Sequence, residues 1–258
     1  MGSSLIKEQL KTYKRKRDVH LFFLLIGVIA TLIVFILLNL LKVNFNIIVT
    51  ITLILVVALT VIIIYIKPRI ITYSMYYKYY LMLDDGMNQR TPNRLPFTKS
   101  FIEVLNNNGY DSIANSKNFL VHYKIVDKLK EVRAKGKTLV AVVMAKTKNS
   151  DFYGAELQKL FENIHEKQKR NIRKQIVLQF QKYDTFNIET KEEIDKIINM
   201  VDGPNAVIHI TCGMILDTQN IYFLRPNTKF PNRYYYYGVH TLETLLDIDW
   251  GYYEKRWF

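Results

Sequence analysis

Two apolar segments near the start of the chain constrain its fold more than any other feature. They cover residues 19–41 and 46–66, contain no Asp, Glu, Lys or Arg, and are separated only by residues 42–45. About 20 apolar residues are enough to cross the hydrocarbon core of a bilayer. We therefore predict a hairpin of two transmembrane helices, which places the rest of the chain on one side of the membrane.

The basic residues around the hairpin predict its orientation. Six Lys and Arg precede the first segment, three follow the second closely, and the connecting residues contain only Lys42. Because cytoplasmic flanks carry the excess of Lys and Arg, both termini are expected in the cytoplasm of a two-span protein of the cell membrane. The single cysteine, Cys212, allows no internal disulfide and fits a reducing compartment. A composition rich in Ile, Asn, Lys and Tyr suggests a bacterial source.

These features divide the chain into four parts. We assign 1–18 to a basic cytosolic N-terminus, 19–66 to the hairpin, 67–95 to a juxtamembrane tyrosine-rich helix with a linker, and 96–258 to a cytosolic domain. The net charge of +13 favours contact with the anionic inner leaflet. Nucleic acid would attract the same charges, but the membrane context makes it the less favoured partner.

The hairpin resembles an anchor more than a conduit, because ion pathways are usually marked by ionisable residues inside the membrane. A pore built by several copies is left open. Tyrosines that share one helical face follow the second span, and Tyr rings prefer the headgroup level. The predicted membrane-interface residues are Arg15, Arg17, Tyr73, Tyr76, Tyr77 and Tyr80.

The cytosolic part alternates between helical and strand patterns. Residues 137–146 form a Val-rich run typical of a central strand, and residues 151–171 carry apolar side chains at helical spacing. Residues 190–203 are expected to form a helix that opens at Thr190, buries Ile194, Ile197, Ile198 and Val201, and stops at Gly203. The pattern predicts a mixed α/β domain with one central sheet, in which parallel strands flank the crossover helices.

Two segments combine aromatic and basic residues. Four consecutive tyrosines follow Arg233, and Trp250 and Trp257 lie near the C-terminus. Tyr, Trp and Arg are frequent at binding hot spots. The candidate contacts with a protein partner or a second copy are Arg233, Tyr234, Tyr235, Tyr236, Tyr237, Trp250 and Trp257. For the tyrosines we consider two readings equally, an exposed strand for a partner and an edge strand with two rings inward.

The titratable residues do not indicate a metal or cofactor site. His209 and Cys212 lie three residues apart on a predicted strand and so face opposite sides of the sheet. The acids Asp184, Glu189 and Glu192 surround a helix start, where they complement the helix dipole. We therefore predict no metal, no cofactor and no catalytic residue.

The element order over residues 97–170 resembles the core of Mrr-type restriction-endonuclease-like domains. That family carries an acid on one strand and Glu/Gln-x-Lys on the next. Lys146 would take the place of the lysine and Asp127 that of the earlier acid, whereas Met144 stands where Glu or Gln is expected. A magnesium-dependent nuclease needs carboxylates to hold its ion, so the resemblance implies a degenerate, inactive version.

We therefore interpret the chain as a membrane-anchored cytosolic binding, scaffold or regulatory domain of an assembly at the inner face of the membrane. One alternative is a membrane-tethered enzyme acting on nucleic acid or nucleotides through Asp127 and Lys146. Another is a two-span effector that permeabilises the membrane when its cytosolic domain senses a signal.

Overall fold

The computed structural model describes residues 3–84, 89–113, 116–129, 132–148, 150–167, 172–227 and 230–248. They form two units, a helical hairpin and an α/β domain. In the hairpin, α1 (Ser3–Leu40) and α2 (Phe45–Asp84) are joined by residues 41–44. Both helices are long and apolar enough to span a membrane, as the sequence predicts.

Four polar side chains of the two apolar segments bond back to their own helices. The hydroxyl of Thr31 donates to the carbonyl oxygen of Gly27, at 2.9 Å. Asn39, Thr50 and Thr60 make equivalent bonds to the residue four positions earlier. Satisfying such groups within the helix makes them compatible with lipid, where a lost hydrogen bond is costly.

Both helices are longer than a membrane requires. At a rise of 1.5 Å per residue, the 38 residues of α1 extend about 57 Å, against roughly 30 Å of hydrocarbon. In the basic and tyrosine-rich parts the helices contact each other. The ring of Tyr13 stacks on Tyr76 and Tyr80, with centroids 4.9 and 5.5 Å apart, and the Arg17 guanidinium lies 4.7 Å from the Tyr77 ring centroid. The tyrosine face thus packs against α1, and its position relative to lipid stays a prediction.

The α/β domain contains four helices and seven strands among its described residues. They are α3 (Lys99–Asn107), β1 (Asp111–Ile113), β2 (Phe119–Leu129), β3 (Ala134–Ala145), α4 (Ala155–Lys167), β4 (Lys174–Tyr183), α5 (Ile188–Ile194), β5 (Ile198–Asp202), β6 (Asn205–Ile215), β7 (Asn220–Phe223) and α6 (Arg233–Leu246). This order confirms the predicted mixed α/β domain and adds the short strands β1 and β5.

One open sheet has the order β1-β2-β3-β4-β6-β5. Strands β3, β4 and β6 are parallel and are connected through α4 and α5, as predicted. The other pairs are antiparallel, and β5 and β7 share the far edge of β6, each beside one half of it. The carboxyl ends of three parallel strands therefore meet at one edge of the sheet.

Helices cover the sheet on both faces. On one face α4 buries Leu157, Phe161 and Ile164 against apolar side chains of β2, β3 and β4. On the other face α6 packs on β4 and β6, and the ring of Phe101 in α3 contacts Phe180 edge to face, at 5.4 Å. The strand β3 is buried from Leu139 to Ala145, as expected of a central strand.

The helix predicted over residues 190–203 is wrong beyond Ile194. Helix α5 ends there, and residues 198–202 pair with β6 as an edge strand. Asn187, rather than Thr190, caps the helix, because its side chain accepts a hydrogen bond from the Thr190 amide. The open edge of β6 offers backbone hydrogen bonds that stabilise these residues as a strand. Gly203, at φ 52°, lies in the turn between β5 and β6.

Both strand readings of the tyrosine segment are also wrong, since residues 233–246 form α6. The side chain of Asn232 accepts hydrogen bonds from the amides of Tyr234 and Tyr235, which caps the helix. All four tyrosines are at most 8% exposed. Gly238 lets the helix approach the sheet closely, because a Cβ there would lie 2.8 Å from Ile210 Cδ1.

Candidate functional site

A groove lies over the face of the sheet between α4 and α5. One part of it, a cavity of about 610 Å³, is lined by residues 148 and 150–153 after β3, by the end of β4 and by α5. A second cavity of about 320 Å³ is lined by α4 and shares Phe152 and Tyr153 with the first. We call the two cavities together the interhelix groove. Its place agrees with the rule that ligands bind outside the carboxyl ends of parallel strands.

The floor of the interhelix groove is polar although it belongs to the central strands. Gln181 of β4 and His209 and Thr211 of β6 line the cavities and are at most 8% exposed, whereas Gln179 of β4 is completely buried beside them. The register places Gln179 directly opposite Thr211. Because alternate residues of a strand share one face, all four side chains lie on the same side of the sheet. Central parallel strands are usually apolar throughout, so this polar row is a distinct local feature.

A chain of hydrogen bonds indicates which nitrogen of the His209 ring carries the proton. The Thr211 hydroxyl donates to Gln179 Oε1 at 3.1 Å, which turns the Gln179 amide nitrogen towards His209 Nδ1, at 3.3 Å. The amide nitrogen is a donor, so Nδ1 accepts and the ring proton lies on Nε2. Burial lowers the pKa of His209 to about 4, so the ring is neutral at physiological pH. Nε2 is buried and has no hydrogen-bond partner within the part of the chain that the structure describes.

Tyr153 covers this histidine from the loop between β3 and α4. Its ring is nearly parallel to that of His209, with centroids 6.1 Å apart, and 54% of the residue is exposed. Two hydrogen bonds hold the loop. The Tyr153 amide donates to Asp151 Oδ1 at 2.8 Å, and Gln181 Nε2 donates to the carbonyl oxygen of Lys148 at 2.9 Å. The floor and the loop above it are therefore tied together.

Carboxylates surround the larger cavity. Three come from α5 and one from the loop, namely Glu189, Glu192, Glu193 and Asp151. Two lysines also line it, Lys148 and Lys196, and Lys148 Nζ donates to Asp184 at 2.6 Å. Glu189 does lie in the first turn of α5, as the helix-dipole interpretation requires. The described part of the chain contains no cluster of three His, Cys, Asp or Glu that could hold a metal ion.

The two residues of the nuclease-like prediction are not brought together. Asp127 lies 3.8 Å from Lys137 Nζ, at the start of β3, whereas Lys146 follows the end of that strand. Nine residue steps lead from Lys137 to Lys146, which corresponds to about 30 Å at 3.3 Å per residue. Lys146 Nζ donates to the carbonyl oxygen of Ser116 at 2.7 Å, and Met144 is buried in the core. The backbone amide of Lys146 donates to the carbonyl oxygen of Asn118, whose side chain carries no charge.

The loop beside Lys146 has a structural arrangement of its own. The carboxylate of Glu156, in the first turn of α4, accepts from the Ser116 hydroxyl at 2.6 Å and from the Asn118 amide side chain at 2.6 Å. These bonds lower the pKa of Glu156 to about 2. The carboxylate thus joins α4 to residues 116–118 and is saturated by protein donors.

The predicted partner contacts have different environments. Arg233 is exposed, the four tyrosines after it are buried in α6, and Trp250 and Trp257 lie outside the described residues. Cys212 is completely buried, as a small core residue is expected to be. Whether Arg233 and its neighbours contact a partner stays a prediction.

No family model, no curated protein and no solved structure matches this chain. The site is therefore defined by its geometry alone.

Sequence reasoning missed the interhelix groove. The available signal was Gln179 inside the otherwise apolar run from Ile176 to Phe180, with Gln181 directly after that run. The period of two puts both amides on one face, but the partners on β6 are about 30 residues further along the chain. Without the register between β4 and β6, nothing joins Gln179 to His209.

Proposed function

We propose that this chain is a membrane-anchored regulatory protein whose cytosolic α/β domain binds a ligand in the interhelix groove. The observation that carries the proposal is the hydrogen-bonded row Thr211–Gln179–His209. Its last member, His209, lines the cavity beside α4, and the buried Nε2 of that ring has no hydrogen-bond partner among the described residues. Buried polar groups normally have partners, and an exception calls for a functional explanation. We infer that a ligand supplies the missing acceptor once the Tyr153 ring moves away from His209.

The state of His209 favours binding over catalysis. Nδ1 accepts a hydrogen bond from Gln179 and Nε2 carries the proton. The neutral ring therefore has no free lone pair with which it could act as a general base. The same arrangement makes Nε2–H a donor of fixed position. A rigid donor in a partly apolar cavity is typical of a recognition site.

The hairpin supports the membrane part of the proposal. The basic flanks favour cytoplasmic termini, and an anionic inner leaflet would attract the positively charged ends of both helices. The α/β domain would then bind its ligand on the cytosolic side, and ligand binding would change its contact with a protein partner or with a second copy of the chain. Arg233, exposed at the start of α6, is the candidate contact for such a partner.

The test is ligand binding by the full-length chain in lipid nanodiscs. We expect a library of soluble metabolites to contain compounds that raise the unfolding temperature of the wild type but not of His209→Phe. His122→Phe is the matched control, because His122 is also a buried histidine of the sheet but lies on β2, outside the groove. If no compound shifts the wild type, or if every shift survives in His209→Phe, the proposed function is wrong.

A further inference from the structure

We propose that the α/β domain forms a symmetric dimer through its edge strand β5. In this dimer β5 pairs antiparallel with β5 of a second copy, and Asn199 lies opposite Asn199 of that copy, so that the two sheets become one continuous sheet. Dimerisation of this kind goes beyond ligand binding in the interhelix groove and does not depend on it. Three features of β5 support it: its open edge, the order of its side chains and the charges at its two ends.

The outer edge of β5 is open within the described part of the chain. The strand lies at one end of the sheet order, and β6 is the strand it pairs with. The pairing is regular, without a bulge, and Met200 in the middle of β5 is 55% exposed. Edge strands usually carry Lys, Pro or a bulge that prevents pairing with another chain. The strand Ile198–Asp202 contains no Lys or Pro, so its edge is suited to accept a further strand.

The order of side chains along residues 196–202 favours a second copy as the partner. When Asn199 lies opposite Asn199 of the second copy, the other residues also meet suitable partners across the ladder. These facing pairs are Ile197 with Val201, Ile198 with Met200, and Lys196 with Asp202. Apolar residues thus face apolar residues, and a cation faces an anion at each end. Such cross-strand pairs stabilise antiparallel sheets, and a twofold axis repeats each of them.

The charges at the two ends decide the register of this pairing. Lys196 and Asp202 are both exposed, so each can reach the opposite charge on the second copy. A shift that placed Met200 opposite itself would put Asp202 opposite Ile198. A shift by the same amount in the other direction would put Lys196 opposite Met200. Either shift removes both ion pairs and places a charge across from an apolar side chain, so the register centred on Asn199 is favoured.

The start of α6 lies beside the same edge. The Asn232 side-chain amide donates to Asn199 Oδ1, and the next residue, Arg233, is exposed. Arg233, the candidate contact for a partner, is therefore close in the chain to a residue that contacts β5. Seven facing residues form a short interface. The membrane anchor proposed above would hold the copies in one bilayer and raise their effective concentration, which makes a short interface sufficient.

The experiment is disulfide cross-linking of the full-length chain in isolated membranes, with copper phenanthroline as the oxidant. Residues directly opposite in an antiparallel pair have Cα atoms about 4.5–5.5 Å apart, within the range of a disulfide. We therefore expect Asn199→Cys to form a covalent dimer. Asp202→Cys is the matched control, because its two copies would lie about 20 Å apart along the strands. The native Cys212 is completely buried and should not cross-link.

A second cysteine pair covers the loss of the Asn199–Asn232 hydrogen bond in Asn199→Cys. Ile197→Cys and Val201→Cys, produced together as separate chains, should link to each other, because these positions face each other in the proposed register. Either variant alone should remain unlinked, since its own two copies would lie about 13 Å apart along the strands.

Charge reversal tests the contact between copies. In the Asn199→Cys background, Asp202→Lys and Lys196→Glu each place like charges opposite each other and should weaken dimerisation by about tenfold or more. A mixture of the two variants should restore cross-linking, because Glu at position 196 then faces Lys at position 202. Lys196 also interacts electrostatically with Glu192 of its own chain. The mixture controls for this local effect, since both substitutions are still present.

The β5 dimer is excluded if neither Asn199→Cys nor the mixed pair of Ile197→Cys and Val201→Cys cross-links, or if Asp202→Cys cross-links equally well. It is also excluded if charge reversal leaves the yield unchanged, or if the mixture of charge variants remains as weakly linked as each variant alone. None of these outcomes involves the interhelix groove, so failure of the dimer and failure of the proposed ligand binding are distinguishable.

Discussion

Arg225 and Glu243 form an ion pair that is almost completely removed from solvent. The distance from Arg225 Nε to Glu243 Oε1 is 2.7 Å, and the side chains are 6% and 4% exposed. The pair ties α6 to the segment that follows β7, and His240 Nδ1 lies 3.9 Å from the second carboxylate oxygen. A pair in this environment is weak evidence for stability by itself, but removing one partner leaves a buried charge.

We therefore expect Glu243→Ala to lower the free energy of unfolding by about 3–5 kcal/mol, because the buried Arg225 guanidinium loses the carboxylate of Glu243. Chemical unfolding of the detergent-solubilised protein, followed by near-ultraviolet circular dichroism, measures the change. Asp184→Asn is the matched control. It breaks the Lys148–Asp184 pair, whose side chains are 60% and 66% exposed, and should cost less than about 1 kcal/mol. Equal losses in the two variants would contradict the account.

Because His209 is buried, we expect the free energy of unfolding to decrease in acid. Burial lowers its pKa from 6.5 to about 4, so between these pH values the unfolded chain binds more protons than the folded one. The free energy of unfolding then falls as the pH decreases through this window, by on the order of 3 kcal/mol in total. Glu162 and His165 of α4 line the same cavity.

The measurement is the free energy of unfolding from pH 7 to pH 4.5 for the wild type and for His209→Gln. We expect the variant to lose less stability over this range, because it has no imidazole to protonate in the groove. Burial also lowers the pKa of His122, so a His122→Phe variant separates its share from that of His209. Parallel pH profiles for wild type and His209→Gln would show that His209 is not the acid-sensitive group.

A substitution at Tyr235 tests whether residues 234–237 contribute to the core of the domain. Its side chain is fully buried, and its hydroxyl donates to the carbonyl oxygen of Leu224 at 2.6 Å. Tyr235→Phe should destabilise the domain by about 1–3 kcal/mol, since that carbonyl oxygen loses a buried donor. Arg233→Ala, at an exposed position of the same helix, should change stability by less than about 0.5 kcal/mol. Thermal unfolding of both variants checks the difference.

The elements that sequence predicted correctly are those with a strong, local pattern. Leu157, Phe161 and Ile164 repeat at helical spacing, and all three are buried on the side of α4 that faces the sheet. The run from Leu139 to Ala145 likewise indicates a central strand, because an element covered on both faces needs no polar side. For such segments the periodic arrangement of apolar residues decides the structure before any distant contact forms.

The errors arose where distant contacts decide. Ile198 and Val201 fit a helical stripe, but pairing with β6 makes them part of a strand. The tyrosines of α6 have no polar face to reveal a helix, and their segment becomes helical beneath a cap by Asn232 and against the sheet at Gly238. The floor of the groove likewise depends on the β4–β6 register. Each of these features needs the sheet to be assembled first.

The single cysteine allows a direct test of the proposed membrane orientation. Cys212 is completely buried, and burial raises the pKa of its thiol, so the wild type should react slowly with maleimides. Asn44→Cys places a thiol between α1 and α2, and Thr218→Cys places one in the exposed turn between β6 and β7. With both termini cytoplasmic, a membrane-impermeant maleimide should label Asn44→Cys in intact cells. Thr218→Cys should react only after permeabilisation. The reverse pattern would place the α/β domain outside the cell and would contradict a cytosolic ligand.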